Sequence, residues 1–200
     1  MKKVLTIIGL FCFTVGIQAQ DIKLNAPTKK GGKPVMEAFS ERRSERVFVK
    51  KEMPVQMLSD LLWAAYGFNR DGKRTIPTAI DRQEIEIYAM FDNGVYFYDA
   101  KANILKLIAK GDFRKALGQE NISNIAAVSI IFVGDMNKAA SRECAYFSSG
   151  CASQNISLYA ASAGLGTVVR GSFNGEELAK ILKLGEKKEV TMVQPVGFLK

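Results

Sequence analysis

The fold is decided by residues 84–98, which read EIEIYAMFDNGVYFY. Residues 84–89 alternate polar or amphipathic side chains with apolar ones, the period of a β-strand that turns one face to a core. The Asp92-Asn93-Gly94 triplet then favours a tight hairpin, and residues 95–98 resume a strand composition. The stretch therefore predicts two antiparallel strands joined by a short turn.

Further strands extend this pattern along the chain. A turn at residues 101–103 leads into residues 104–108, which completes an antiparallel meander expected to keep one solvated face. Residues 126–133 are almost continuously apolar, as in a strand that is covered on both faces. Two shorter strands are predicted at residues 167–169 and 190–196.

Helical periodicity occurs between these strands. The clearest helix has Pro54 at its first position, apolar residues at spacings of three and four, and Gly67 at its end. Other helices are predicted at residues 35–42, at residues 138–163 before Gly164, and at residues 176–184, with Asn174 near the cap. The element order predicts an α+β domain with helices packed on a mixed sheet.

The N-terminus divides into two segments ahead of the domain at residues 35–200. Lys2 and Lys3 precede an apolar run and small residues, so residues 1–19 are predicted to be a secretory signal peptide. The run is short for a bilayer span, and we expect export to the periplasm without stable membrane insertion after cleavage. Residues 20–34 are rich in Lys, Gly and Pro and predict a flexible arm without a core.

The composition excludes several kinds of chemistry. The chain has 28 basic and 20 acidic residues and no histidine, which excludes Ser-His-Asp triads, Cys-His dyads and most zinc sites. No metal is expected. Cys144 and Cys151, on one predicted helix, would lie about 10 Å apart along its axis, beyond disulfide distance. We expect two free, buried thiols.

A basic cluster, Arg42-Arg43-Ser44-Glu45-Arg46, supplies three guanidinium groups and a hydroxyl within five residues. Such donors suit a terminal phosphate. The alternative is a solvated basic patch at a helix end, where cations favour the negative pole of the helix dipole. The excess of positive charge agrees with an anionic ligand but equally serves solubility.

Two later motifs follow this cluster, RTIPTAIDRQE at residues 74–84 and GLGTVVRG at residues 164–171. In this order, the three motifs resemble the FMN-dependent nitroreductases over about residues 36–198, and look closest to a short, exported branch related to peptide azoline dehydrogenases. The resemblance implies a nitroreductase-like, mainly antiparallel sheet with helices on both faces, and a bound FMN.

The same resemblance assigns roles to individual residues. The first motif would hold the FMN phosphate, and Lys200 would add the basic residue that follows the last strand. The residues assigned to the phosphate are Arg42, Arg43, Ser44, Arg46 and Lys200. The second motif would place four residues beside the flavin ring and ribityl chain, namely Pro77, Thr78, Asp81 and Gln83. The third motif would place Val169, Arg170 and Gly171 at the reactive edge of the ring. Their backbone N–H groups would be able to face the flavin N5.

Asp81 departs from the family pattern, which has Asn at this position. An ionised carboxylate only accepts hydrogen bonds, whereas an amide also donates. Arg82, a ribityl hydroxyl or a bound proton would have to compensate. Thr78 replaces a Ser and keeps the hydroxyl.

The resemblance further implies a ping-pong hydride transfer from a reduced donor, NAD(P)H, to a nitroaromatic, quinone or similar acceptor. No side chain is expected to act as acid or base. The chemistry would belong to the flavin. Above the ring, Tyr66, Phe68 and Phe147 are aromatic candidates, with core packing as the alternative.

A homodimer is also implied, formed through the long helix with FMN between the subunits. Gln154 and Asn155 match a pattern of the related branch, and hydrogen bonding between helices is the alternative. Rival functions are an azoline-type peptide dehydrogenase, whose Lys and Tyr pair has no counterpart placed here, and a non-catalytic flavin-binding protein. A basic patch for polyanions is a third rival, although no nucleic-acid partner is expected.

Overall fold

The computed structural model describes residues 20–200, and the predicted signal peptide lies outside the described residues. The strands are β1 (Ile22–Lys23), β2 (Phe68–Arg70), β3 (Lys73–Arg74), β4 (Ile85–Met90), β5 (Gly94–Asp99), β6 (Ile104–Lys110), β7 (Val128–Asp135), β8 (Leu165–Thr167) and β9 (Lys188–Phe198). The helices are α1 (Val35–Glu41), α2 (Val55–Tyr66), α3 (Glu120–Ser123), α4 (Arg142–Ala163) and α5 (Gly175–Ile181). Short 3-10 turns occur at Ala79–Asp81 and Arg114–Leu117.

Seven of the strands form one sheet in the order β1-β6-β5-β4-β7-β9-β8, and β2 and β3 form a separate hairpin. All neighbouring pairs in the sheet are antiparallel. In the predicted hairpin, the Phe91 N–H donates to the Gly94 carbonyl over 2.9 Å, and Tyr88 pairs with Phe97. The α+β class and the mainly antiparallel sheet are confirmed, while the parallel pairing that a mixed sheet would include does not occur among the described strands.

Helices cover both faces of this sheet. One face packs against α2 and α4, in a core that includes Leu61, Leu62, Ile87, Ile130 and Ile156. The other face packs against α5 and the turn Arg114–Leu117, through Tyr88, Leu117, Ile131 and Leu178. The strand β7 lies between the two cores and is buried at every position, as its continuous apolar run predicted.

The expectation of one solvated face is wrong for β4 and β5. Tyr88 and Met90 point to the face expected to be polar, yet both are buried beneath α5 and its neighbouring turn. The polar groups on this face satisfy one another, because the Tyr88 hydroxyl donates to Glu86 over 2.9 Å and Lys188 pairs with the same carboxylate. Alternating polarity therefore did not indicate exposure to solvent.

The expectation of a flexible arm at residues 20–34 is also wrong. The strand β1 pairs with β6, and Leu24 is only 4% exposed within the main core. Farther along, the Thr28 N–H donates to Asp60 over 2.7 Å and the Lys33 N–H donates to Ser162 over 2.8 Å. These backbone contacts hold the segment across α2 and α4, so the folded unit begins before residue 35.

Element ends shift by a few residues from their predicted positions. Pro54 caps α2 instead of occupying its first turn. The helix α4 begins at Arg142, not at residue 138, because the Ser141 hydroxyl accepts the Cys144 N–H over 3.3 Å. Gly164, with φ 69°, ends α4 as predicted. The strand expected at residues 167–169 lies two residues earlier, at Leu165–Thr167.

Cys144 and Cys151 both lie on α4 and are free, as predicted from their spacing. They are partly exposed, however, and not buried. Within residues 20–200, no helix combines the length and the apolar character that a membrane span requires.

Leu24→Ala should destabilise the protein by about 2–5 kcal/mol, because it removes a buried side chain from the core. Urea unfolding followed by circular dichroism measures this change in the free energy of unfolding. The control is Lys23→Ala, an exposed neighbour, which should change stability by less than about 0.5 kcal/mol. If Leu24→Ala left the free energy of unfolding unchanged, the N-terminal segment would not be part of the core.

Candidate functional site

A cleft of about 390 Å³ lies where α1, the end of α4 and β8 meet. Its lining includes three cations and two carboxylates, namely Lys33, Arg42, Arg43, Glu41 and Glu45. The other lining residues have mostly small or apolar side chains, and they are Ser40, Ser157, Ala160, Ala161, Gly164, Leu165, Thr167 and Leu199. The cations outnumber the carboxylates by one, so the cleft carries a small excess of positive charge, which favours an anionic ligand.

The arginine segment, residues 42–46, is fixed against the sheet by its backbone. The Glu45 N–H donates to the Thr167 carbonyl over 2.9 Å, and the Val49 N–H donates to the Phe198 carbonyl over 2.9 Å. Gly166 permits this close approach, because a Cβ there would lie 2.9 Å from the Glu45 Cβ and would also collide with Leu199. Gly166 therefore serves the contact between the arginine segment and β8.

The cations around the cleft differ in their partners. Lys33 pairs with Glu37 and Glu41, and Arg43 pairs with Glu45. Arg42 and Arg46, by contrast, make no ion pair with any residue of the described chain.

Ser44 is exposed, as are Arg42 and Arg46. The segment thus presents two unpaired guanidinium groups and a hydroxyl, a donor set that fits a phosphate. Arg42 lines the cleft, whereas Ser44 and Arg46 lie outside its lining.

The second motif forms a strained loop, residues 77–83, which we call the left-handed loop. Ile80, Asp81 and Gln83 have φ values of 45°, 58° and 50°, in a region that non-glycine residues rarely adopt and that is least favourable for a β-branched side chain. Ile80 is also 80% exposed. Strained backbone that displays an apolar side chain is typical of ligand-binding loops.

Asp81 is compensated by Lys73, not by Arg82. The hydrogen bond from Lys73, followed by one from Gln83, holds the pKa of the Asp81 carboxyl below its usual value, so the carboxylate is ionised. Arg82 instead donates to the Lys138 carbonyl over 3.2 Å. The pairing with Lys73 and the lowered pKa of the carboxyl favour an ionised Asp81 over a protonated one.

The third motif is only partly available to a ligand. The Arg170 N–H donates to the Val193 carbonyl over 2.8 Å, and the Val193 N–H returns the bond over 3.0 Å, so the expectation that the Arg170 N–H faces a flavin is wrong. Val169 and Gly171, on either side, are exposed.

The Arg170 side chain has a structural task. It is 7% exposed, and it donates to the Gly118 carbonyl, the Ser123 hydroxyl and the Ser172 carbonyl over 3.1, 3.2 and 3.0 Å. Burial lowers the pKa of this guanidinium. The side chain ties the β8–β9 connection to residues 118–123.

The three motifs do not meet in a single chain. The cleft is lined by residues of the first motif and of the β8 region, but by none of residues 77–83. Lys200 is exposed and directly follows Leu199, which lines the cleft. The left-handed loop lies instead beside the β2–β3 hairpin, where the Gln83 side chain donates to the Gly72 carbonyl over 2.7 Å.

The aromatic candidates have different environments. Tyr66 is part of the core, and burial raises the pKa of its hydroxyl, so the core-packing alternative holds. Phe68 stacks against Arg74, whose guanidinium carbon lies 4.0 Å from the centroid of the Phe68 ring. Phe147 is 72% exposed on α4, and nothing in the described chain covers it.

A second cleft, of about 420 Å³, lies between α1, α2 and α4. Trp63 and Tyr159 form its aromatic walls, and Lys33 lines both this cleft and the first. No sequence pattern indicated a role for Trp63 or Lys33, because Trp63 lies in an apolar helix and Lys33 lies in a segment expected to be flexible. Asn155 also lines this cleft and donates to the Ala64 carbonyl over 2.8 Å, so its amide bridges two helices.

Together, these observations describe an α+β protein with a cleft beside the arginine segment and a separate strained loop. The nitroreductase family model matches residues 39–198, and the chain belongs to the nitroreductase family. This membership indicates an oxidoreductase that acts on small molecules.

Similar proteins support the same assignment. The chain is 28% identical to MJ1384 of Methanocaldococcus jannaschii, a candidate nitroreductase, over 78% of this chain and 87% of that one. A crystal structure of a candidate nitroreductase from Ralstonia eutropha JMP134 is 33% identical, covers 93% of this chain and 92% of its own, and superposes with a TM-score of 0.86. The McbBCD microcin synthetase of E. coli shares the fold, with a TM-score of 0.68 at 16% identity over all of this chain and 85% of that one.

Lys73→Met should raise the pKa of Asp81 toward the ordinary aspartate value, because both the hydrogen bond and the positive charge that lower it are lost. The pKa of Asp81 is lower in the folded protein than in the unfolded one. The pair therefore stabilises the loop above the unfolded pKa, and the stabilisation is lost as the pH falls through the folded value. A carboxyl-carbon NMR titration measures the change, and an unchanged Asp81 midpoint in the variant would contradict the pairing.

Proposed function

We propose that the protein is an FMN-dependent oxidoreductase that passes a hydride from a reduced donor, NAD(P)H, to a nitroaromatic, quinone or similar electrophilic acceptor. The observation that carries this proposal is the cationic cleft, where Arg42 lies unpaired beside a backbone contact that depends on Gly166. Membership of the nitroreductase family supports the same chemistry.

In this proposal the chain binds and orients, while the cofactor reacts. Arg42, Ser44 and Arg46 would hold the phosphate through charge-assisted hydrogen bonds. Arg43 would contribute less, since Glu45 already engages it, and Lys200 would add charge at the rim. Bound FMN would supply the ring that accepts the hydride and later delivers it.

We also propose a homodimer, which would bring the separated motifs together. The left-handed loop does not line the cleft of its own chain, so a second copy could supply it. Large apolar side chains are exposed on α1 and α4, namely Val35, Met36, Phe39 and Phe147. An apolar surface of this kind favours a symmetric partner with the same patch.

In such a dimer the loop residues of one subunit would face the cleft of the other. Pro77, Thr78, Asp81 and Gln83 would then border the ring, together with the exposed Val169 and Gly171. This arrangement accounts for a phosphate-binding segment and a ring-binding loop that lie apart within one chain.

Export to the periplasm is a further proposal. It rests on residues 1–19, where Lys2 and Lys3 precede an apolar run and small residues, and it fits the short, exported branch of the family. In that compartment the reduced donor would have to be supplied outside the cytoplasm. Recovery of the protein from a periplasmic fraction with an N-terminus near residue 20 would support export, and an intact N-terminus would contradict it.

Arg42→Ala combined with Arg46→Ala should weaken FMN binding by about 100-fold or more, because two charge-assisted hydrogen bonds to phosphate are lost. The matched control is Arg43→Ala, which removes a neighbouring guanidinium that is already paired with Glu45 and should cost less than about fivefold. Quenching of FMN fluorescence during titration measures both affinities. Equal losses in the two variants, or unchanged retention in the double variant, would overturn the phosphate assignment.

Redox cycling separates the oxidoreductase from its rivals. The FMN-loaded protein should lose its flavin absorbance on anaerobic mixing with NADPH and regain it when a quinone is added. Protein reduced by dithionite that no acceptor reoxidises would instead be a flavin-binding protein without turnover. Among residues 20–200, no contact favours azoline oxidation, and the likeness to McbBCD concerns the fold alone.

A further inference from the structure

The β2–β3 hairpin presents two consecutive cations to the left-handed loop. Lys73 pairs with the Asp81 carboxylate, and the Arg74 Nε donates to the Gln83 Oε1 over 2.9 Å. The loop thus meets a cation near its middle and another at its end.

Arg74 is held unusually firmly for an arginine near the surface. Its guanidinium lies 4.2 Å from the Tyr66 ring centroid and 4.0 Å from the Phe68 ring centroid, and its Nη1 donates to the Tyr66 carbonyl over 3.0 Å. Two aromatic contacts and a carbonyl fix the plane of the guanidinium, so the direction of the Nε–H toward Gln83 is fixed as well.

No carboxylate of the described chain forms an ion pair with Arg74. The two rings and the Tyr66 carbonyl hold this guanidinium in place without a neutralising carboxylate, and burial lowers its pKa. Because the Arg74 guanidinium donates to the neutral amide of Gln83, its effect is to orient that amide and not to balance a negative charge.

Gln83 connects Arg74 to the rest of the loop. Its N–H donates to the Thr78 hydroxyl over 3.1 Å, and its side-chain amide donates to the Gly72 carbonyl and to Asp81 over 2.7 and 3.3 Å. The backbone of Gln83 itself has the left-handed conformation, with φ 50°. The strained conformation of residues 80–83 therefore depends on a residue whose side chain is held by Arg74.

We propose that Arg74 is a positioning residue that clamps Gln83 and thereby holds the left-handed loop in the conformation that receives the flavin, with Lys73 as a second, more exposed clamp on Asp81. The assignment of the loop to the flavin rests on the proposed function. The clamp itself rests on the contacts within one chain.

Arg74→Lys is the decisive substitution, because it keeps the charge and removes the planar fork and the Nε donor. It should weaken FMN binding by about tenfold or more, with little change in the thermal unfolding midpoint of the flavin-free protein. The matched control is Arg142→Lys, since Arg142 also lies over a tyrosine ring, 5.0 Å from Tyr146, and donates from Nε to Glu189. That variant should bind FMN within about twofold of the wild type.

A double-variant cycle tests whether Arg74 acts through Gln83. Gln83→Leu should itself weaken FMN binding, and adding Arg74→Lys to it should cause little further loss. Fully additive losses, or wild-type FMN affinity in Arg74→Lys, would overturn the clamp. A loss of affinity that only follows a lowered unfolding midpoint would reduce Arg74 to a role in the stability of the fold.

Hydrogen exchange in the flavin-free protein separates this inference from the proposed function. The amides of Asp81, Arg82 and Gln83 are hydrogen-bonded within the loop, and Arg74→Lys should speed their exchange while Arg142→Lys should not. If the wild type binds no FMN, the proposed function is wrong. The exchange experiment still tests whether Arg74 holds the loop, because it needs no flavin. Unchanged exchange in Arg74→Lys would overturn it.

Discussion

The structure depends on a sheet that has to be covered on both faces. Every residue of β7 is buried, so helices are required on each side. On one side, α4 approaches through serines whose hydroxyls pair with the sheet, as in Ser149 with Thr191 over 2.8 Å and Ser157 with Gln194 over 3.1 Å. Small, hydrogen-bonded side chains let the helix lie close, and its end at Gly164 then forms a wall of the cationic cleft.

The edges of the sheet impose a second constraint, because unpaired strands would invite aggregation. Chain segments that come early in the sequence cover part of both edges. The strand β1 pairs with β6, while residues 45–49 donate to β8 and β9 through Glu45 and Val49. The second closure also sets the position of Arg42, so the phosphate-binding segment is located by the same hydrogen bonds that protect the sheet edge.

Much of the fold could be predicted from the sequence, because apolar periodicity and turn residues act locally. The hairpin at Asn93 and Gly94 and the buried β7 follow from such patterns. Which segments cover a sheet face does not follow from local patterns. Tyr88 is therefore buried although the alternating polarity of its strand predicted exposure. Composition likewise described the side chains of residues 20–34 but not the backbone hydrogen bonds that hold them.

The candidate site was predictable in part for the same reason. The motifs located the arginine segment and the left-handed loop. Pairings both near and far in sequence then decided which groups are free. Arg43 pairs with Glu45 in the same segment, Lys73 with Asp81, and the Arg170 backbone with the distant Val193. These pairings depend on strand register and loop conformation, which no single motif specifies.

We propose that the arginine segment, with Arg42 in the cleft and Ser44 and Arg46 beside it, recognises the phosphate of FMN. The most direct measurement compares the affinities of the purified protein for FMN and for riboflavin, which differ only in that phosphate, by fluorescence titration at one salt concentration. We predict that FMN binds about 100-fold tighter or more, as expected for charge-assisted hydrogen bonds from two arginines. Equal affinities for the two flavins, or no binding of either, would contradict the account.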